Sequence, residues 1–193
     1  MKAYLFLADG FEEVEALTTA DILIRAGVEV KLVKVPGGTE DTGKNCKAAR
    51  GSHNIKIKPD LTLNSDITAE ELLDGDCIIL PGDMPGTKNL AQTPEVIQTI
   101  KAYNTAGKTI AAICAAPSVL GENGLLKNRN ATCFPGFEEK LLGANVLSEG
   151  AVADGNIVTG KSMGSAVTFG LKVTEKLLGK DAAAKIEASI YRG

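Results

Sequence analysis

Four short apolar runs, AYLFLA (3–8), VEVKLVKV (28–35), CIILPG (77–82) and TIAAIC (109–114), alternate with stretches of helical spacing, and that alternation limits what this chain can fold into. Each run has the length of a strand. After the first comes a segment from 13 to 26 in which Val14, Leu17, Ile22 and Ile24 approximate helical spacing, closed by Gly27. VEVKLVKV alternates with period two, whereas CIIL is apolar throughout, as in a central strand covered on both faces. Thr93-Pro94 opens a helix through Tyr103, with proline in the first turn and Gly107 beyond its end. Repeated strand-helix alternation implies an α/β fold: a mostly parallel central sheet, right-handed crossovers and helices on both faces.

The remaining segments continue the pattern. Residues 37–52 read as a loop, NIKIKPD as a brief extended piece, and 68–74 as an acidic helix. Beyond TIAAIC the reading is a helix at 116–122, a strand at ATCF (131–134), a short helix at 137–142, strands near 145–148 and 156–159, and helices over 165–178 and 181–190. No repeat or linker interrupts 1–193, so a single domain is expected, long enough to bury roughly 70% of its unfolded surface.

Composition excludes several functions. A net charge of −3, no basic block and eight aromatic residues argue against nucleic-acid binding. No apolar run is long enough to span a bilayer, and MKAYLFLADG lacks the long apolar stretch of a signal peptide. Cys46, Cys77, Cys114 and Cys133 are widely separated and form no CxxC pair, so no metal site is expected, and free thiols in a reducing cytoplasm are the simplest reading. GNIVTGKS (155–162) matches the phosphate-loop pattern letter for letter. Its four variable positions read as a strand after an Asp154-Gly155 turn, however, and backbone groups paired in a sheet cannot also surround phosphate. Nucleotide hydrolysis is therefore not expected.

In sheets of this kind, function gathers at the carboxyl ends of the strands. Three segments meet that description: ADGFEEVE, LPGDMPG and CAAP. Cys114 sits at a strand-to-helix joint, where a nucleophile is exposed and the following N–H groups point at it; a packed structural thiol is the plain alternative. The N–H of Ala115 and one from the LPGD turn are candidate oxyanion donors. Glu15 is the natural proton carrier of the first loop; Glu12 and Glu13 read as solvated acids at a helix start, and spacing alone leaves the same reading open for Glu15. If Glu15 meets the thiol, like charges resist joint ionisation, and a protonated Glu15 donating to sulfur resolves the conflict. His53, the one histidine, and Arg50 are accessory candidates, each with an ordinary surface role as its alternative. Cys133 and Cys77 read as buried structural thiols.

GFEEVEA, the LPGD turn and AAICAAP, in this order and at these separations, resemble the ThiJ/PfpI superfamily, in the branch of the parkinsonism-associated deglycase (DJ-one). The resemblance runs essentially end to end, through RNATCFPGFEEKL and DGNIVTG, and the Ala after Cys114 favours this branch over the protease-like one, which usually has His there. It implies a flavodoxin-like three-layer sandwich forming homodimers, with Cys114 reactive, Glu15 its protonated partner, and the N–H groups of Asp83 and Ala115 as oxyanion donors. It also implies a cofactor-free glyoxalase III or deglycase acting on small dicarbonyls such as methylglyoxal, or on glycated amines. The alternative is a redox sensor whose cysteine oxidises to sulfinate. Phe134 stands where several relatives have histidine, and Asp83 where many have glycine. Amidotransferase or peptidase chemistry would need His53 to reach Cys114.

Overall fold

Side chains along a strand point alternately to its two faces, and the first strand shows how this chain uses that rule to build two cores. The computed structural model describes residues 1–37 and 48–190; Cys46 and most of the expected 37–52 loop lie outside them. In chain order the elements begin with β1 (Lys2–Ala8), α1 (Glu13–Arg25), β2 (Glu29–Val35), β3 (Ala49–Arg50), β4 (Lys56–Ile57) and β5 (Leu61–Thr62). Next come β6 (Cys77–Leu80), α2 (Gly86–Gln92), α3 (Pro94–Thr105), β7 (Thr109–Ile113) and α4 (Pro117–Glu122). The chain continues through β8 (Asn130–Ala131), β9 (Asn145–Val146), β10 (Ala151–Asp154), β11 (Ile157–Gly160), α5 (Ala166–Leu178) and α6 (Lys180–Ser189).

Seven strands form the central sheet in the order β10-β11-β7-β6-β1-β2-β5. Every neighbouring pair is parallel except β10 and β11, which form an antiparallel hairpin. Tyr4, Phe6 and Ala8 of β1, with Ile78 and Leu80 of β6 and Ile110 and Ala112 of β7, bury against Leu90 of α2, Val96, Ile100 and Tyr103 of α3, and Val119 and Leu120 of α4. The alternate residues Ala3, Leu5, Leu7, Ile79, Ala111 and Ile113 bury against Ala16, Ala20 and Leu23 of α1 and Phe169 and Val173 of α5. The result is the expected flavodoxin-like sandwich, three layers thick. Each fully buried large apolar side chain contributes about 1.5–3 kcal/mol of transfer free energy.

Several local expectations change. The α1 stripe of Val14, Leu17 and Ile24 faces outward, each more than a third exposed. Ile22 is buried as expected, and Ala16, Ala20 and Leu23 are buried with it, the two alanines letting the helix sit close to the sheet and to α5. ATCF is not a strand beyond Ala131: Thr132 N–H donates to Thr159 Oγ1 and Phe134 N–H to the Cys114 carbonyl, so the segment leaves the ladder to close over the β7 end. The acidic 68–74 helix shrinks to one 3₁₀ turn, Glu71–Asp74, which buries only Leu72. The 137–142 helix is likewise a 3₁₀ turn, Glu138–Lys140, and the 145–148 strand keeps only Asn145–Val146. Helix α2 and strand β10 lie where no element was expected. GNIVTGKS runs through β11, whose residues pair with both β7 and β10, so the phosphate-loop match has no free backbone to offer.

Candidate active site

The chain moves from β1 to β2 on one side and then returns to β6 on the other, which leaves a crevice beside the end of β1 where ligands bind in such folds. The loops after β1, β6 and β7 meet there.

The loop after β1 starts α1 with three consecutive uses of carboxylate chemistry. Glu12 caps the helix by accepting from Glu15 N–H at 2.7 Å. Glu13 accepts the N–H of His53 at 2.8 Å and of Ile55 at 3.3 Å, and pairs with His53 Nδ1 at 2.8 Å, fixing the turn between β3 and β4. Both acids are buried, at 7% and 3% exposure, not solvated as their position at a helix start led one to expect. Glu15 points into the sheet with no exposure at all; its Oε2 accepts Gly82 N–H at 2.8 Å, and its Oε1 is buried without a hydrogen-bond partner.

Gly82, after β6, is the residue that lets these parts touch. A Cβ at this position would stand 2.6 Å from Cys114 Cβ, 2.8 Å from the Ile113 carbonyl and 2.9 Å from Glu15 Oε2. Asp83 beside it adopts φ 67, and its side chain holds that left-handed turn by accepting from Met84 N–H at 2.7 Å and from Ser52 Oγ at 2.6 Å. Cys114 is left-handed too, at φ 66, with its N–H bonded to the Gly160 carbonyl at 2.9 Å. This is a strand-to-turn elbow, strained at the residue that faces the cavity. Helix α4 begins only at Pro117, so the amides directed at the sulfur, those of Asp83 and Ala115, belong to the two turns.

Electrostatics couple the acid and the thiol. Burial pushes the Glu15 carboxyl up to about 7, opposed by the Gly82 N–H and the Cys114 side chain. Burial first, then the charge and hydrogen bond of Glu15, push the Cys114 thiol up to about 12, while the Asp83 and Ala115 N–H groups act downward. Both shifts express one constraint: a dry site does not hold two anions side by side. Above about pH 7 the pair therefore carries one negative charge and one proton, and it titrates as a unit.

A cavity of about 460 Å³ opens over the sulfur. Of the six residues singled out in the sequence, five line it: Glu15, His53, Asp83, Cys114 and Ala115. Arg50 does not; it lies in β3, where its N–H donates to Asp9 and its carbonyl accepts from Gly10. Sequence reading missed Gly82, Ser52, Phe137 and the pair Met84 and Met163. The proline-glycine step ending an all-apolar strand was the available signal for Gly82, since a glycine there marks close backbone approach. Cys77 is fully buried in the core and Cys133 nearly so, with burial pushing the Cys133 thiol up to about 11. The acids and His53 place Glu12, Glu13 and His53 near one another, but their atoms are already committed to the cap and to the β3–β4 turn.

A flavodoxin-like sandwich whose elbow cysteine rests against a buried carboxyl defines a class of cysteine-centred α/β proteins. The DJ-1/PfpI family profile matches residues 1–176, and the chain belongs to that family. It is 32% identical over 181 residues to protein dj-1beta of Drosophila melanogaster, covering 93% of this chain and 90% of that one. It is 33% identical over 172 residues to the glutathione-independent glyoxalase DJR-1.2 of Caenorhabditis elegans, covering 88% and 84%. The solved structure of oxidized DJ-1 from Toxoplasma gondii superposes with a TM-score of 0.84 at 30% identity, covering 98% and 97%. Among the described residues no helix is long and apolar enough to cross a membrane.

Proposed function

We propose that this chain is a cysteine-dependent, cofactor-free glyoxalase III or deglycase-type enzyme acting on small reactive dicarbonyls such as methylglyoxal. The observation that carries the reading is the fully buried Glu15 carboxyl, hydrogen-bonded to the Cys114 side chain and raised to about 7. A buried acid that titrates near neutrality against a thiol is suited to take a proton from sulfur and to return one to a bound substrate. In the reaction, Cys114 sulfur adds to the aldehyde carbon, its proton passing to Glu15, and the alkoxide faces the N–H groups of Asp83 and Ala115. Glu15 gives that proton to the neighbouring carbonyl oxygen, and the carboxylate so formed moves the proton of the former aldehyde carbon to the adjacent carbon. The first carbon is oxidised and the second reduced within one molecule, so the electrons balance without an external acceptor. Water cleaves the resulting thioester, releasing the hydroxy acid and regenerating the thiol. The C. elegans relative named a glutathione-independent glyoxalase supports this assignment. Purified protein given methylglyoxal is expected to form lactate, and Cys114→Ser to form none; undiminished activity in that variant overturns the mechanism.

The same cradle supports a second reading, a redox sensor. Two N–H donors and a protonated acid around one sulfur also suit a sulfinate, and the T. gondii structure is of an oxidized form. Rapid addition of two oxygens at Cys114 by peroxide, with negligible lactate formation, selects this reading over turnover. A homodimer is proposed as well, supported by the outward Val14, Leu17 and Ile24 stripe of α1; light scattering at the monomer mass overturns it.

A further inference from the structure

The cavity over Cys114 is lined by two kinds of group. One is acidic, the carboxyls of Glu12 and Asp83 with the negatively charged Glu15–Cys114 pair. The other is apolar, Met84, Phe134, Phe137 and Met163. Met84, Phe134 and Met163 are 44%, 44% and 50% exposed, a concentration of uncovered apolar surface at the mouth of a cavity rather than scattered over the molecule. The described lining includes neither lysine nor arginine. Its one cationic group, His53, is already paired with Glu13 at 2.8 Å and lies 3.8 Å from Glu12 Oε1.

Those two kinds of group treat substituents differently. A carboxylate or phosphate on the substrate enters a field of like charge and, among the described lining residues, meets no guanidinium fork or ammonium to receive it. A flat uncharged group lies against Phe134 and Phe137 and covers apolar area that is otherwise wet. We propose that this site selects its electrophiles by charge and shape, accepting uncharged ones with an apolar or aromatic tail and excluding anionic ones. The inference deepens the dicarbonyl reading and rests on it for the substrate class: among 2-oxoaldehydes, the uncharged aryl and alkyl members are taken and those bearing carboxylate or phosphate are refused. Asp83 thus has two roles, a backbone donor to the reacting oxygen and a side-chain charge that filters what arrives.

Three alkylating agents that share one displacement chemistry test this without requiring turnover: iodoacetamide, iodoacetate and iodoacetanilide. In each, the sulfur–carbon bond forms as iodide leaves, and only the tail differs. Rates at Cys114 are read by peptide-resolved mass spectrometry and divided by the rate of the same agent with N-acetylcysteine. Iodoacetate is expected to be disfavoured against iodoacetamide by at least ~10-fold, a ratio that narrows several-fold in 1 M salt. The ratio also narrows in Asp83→Asn, since asparagine tolerates the left-handed backbone. Iodoacetanilide is expected to be favoured several-fold, and Phe134→Ser to remove that advantage. Equal normalised rates for the three agents, or ratios unmoved by both salt and Asp83→Asn, overturn the inference. The expected ratios without lactate from methylglyoxal leave the selection standing and remove the dicarbonyl reading, whereas no labelling of Cys114 by any agent overturns both.

Discussion

Replacing Glu15 by glutamine tests the coupled pair at the centre of the site. The carboxyl is raised from 4.5 to about 7, so the folded protein holds this proton more tightly than the unfolded chain does. Stability therefore falls as pH rises from about 4.5 toward 7 and stays lowered above it, by about 3 kcal/mol at one pKa unit per 1.36 kcal/mol. Glutamine keeps the shape and can still accept the Gly82 N–H at its carbonyl, but a neutral acceptor forfeits about 1 kcal/mol relative to a charged one. The net expectation at pH 8 is a gain of about 2 kcal/mol, or a Tm about 4–8 °C higher for a domain of this size. At pH 4.5 the wild-type carboxyl is already protonated, so the difference vanishes. Differential scanning calorimetry of both proteins across pH 4.5–8 measures it. The variant's thiol, relieved of its neighbour's charge, is expected to titrate below the wild-type value of about 12, while lactate formation is lost. A stability gain of equal size at every pH, or none at pH 8, refutes the claim that Glu15 is a buried acid whose ionisation its surroundings oppose.

Two further outcomes follow from the geometry. Gly82→Ala places a methyl 2.6 Å from Cys114 Cβ and 2.8 Å from a backbone carbonyl, so denaturant melts are expected to show a loss of about 1–3 kcal/mol, with slower alkylation of Cys114. For the Glu13–His53 tether, burial works against ionisation of Glu13, but the His53 hydrogen bond and the backbone N–H groups lower its pKa overall, while Glu13 raises that of His53. The carboxylate's contribution is present above about pH 4.5 and lost as pH falls; that of the histidine is present below about pH 6.5 and lost as pH rises through its raised value. Protection of the His53 and Ile55 amides from hydrogen exchange, corrected for intrinsic rate, is expected to be greater at pH 6 than at pH 9. In Glu13→Gln that difference disappears.

The sequence by itself determined the layers and the address of the site. Apolar runs such as AYLFLA and CIIL have no face to offer water, so they demand cover on both sides, and the helices between them supply it. Once the order of strands is parallel, the residues just past the strand ends converge, which is why Cys114, Glu15 and the LPGD turn were legible before any coordinate. What the tertiary structure decided is the state of those groups. A run reading FEEVE gives no sign that all three glutamates are buried, or that each has a different employer: a helix cap, a distant turn and a thiol. Helical spacing points Val14, Leu17, Ile22 and Ile24 inward, yet of these only Ile22 is buried; helix α1 turns Ala16, Ala20 and Leu23 to the sheet, because close packing there is set by what lies opposite and not by hydrophobicity alone. Likewise ATCF has strand composition, yet its backbone bonds go to Thr159 and Cys114, partners 20 or more residues away in the chain. Propensity is local, whereas desolvation, charge repulsion and the single charge shared by acid and sulfur exist only between groups that folding brings together.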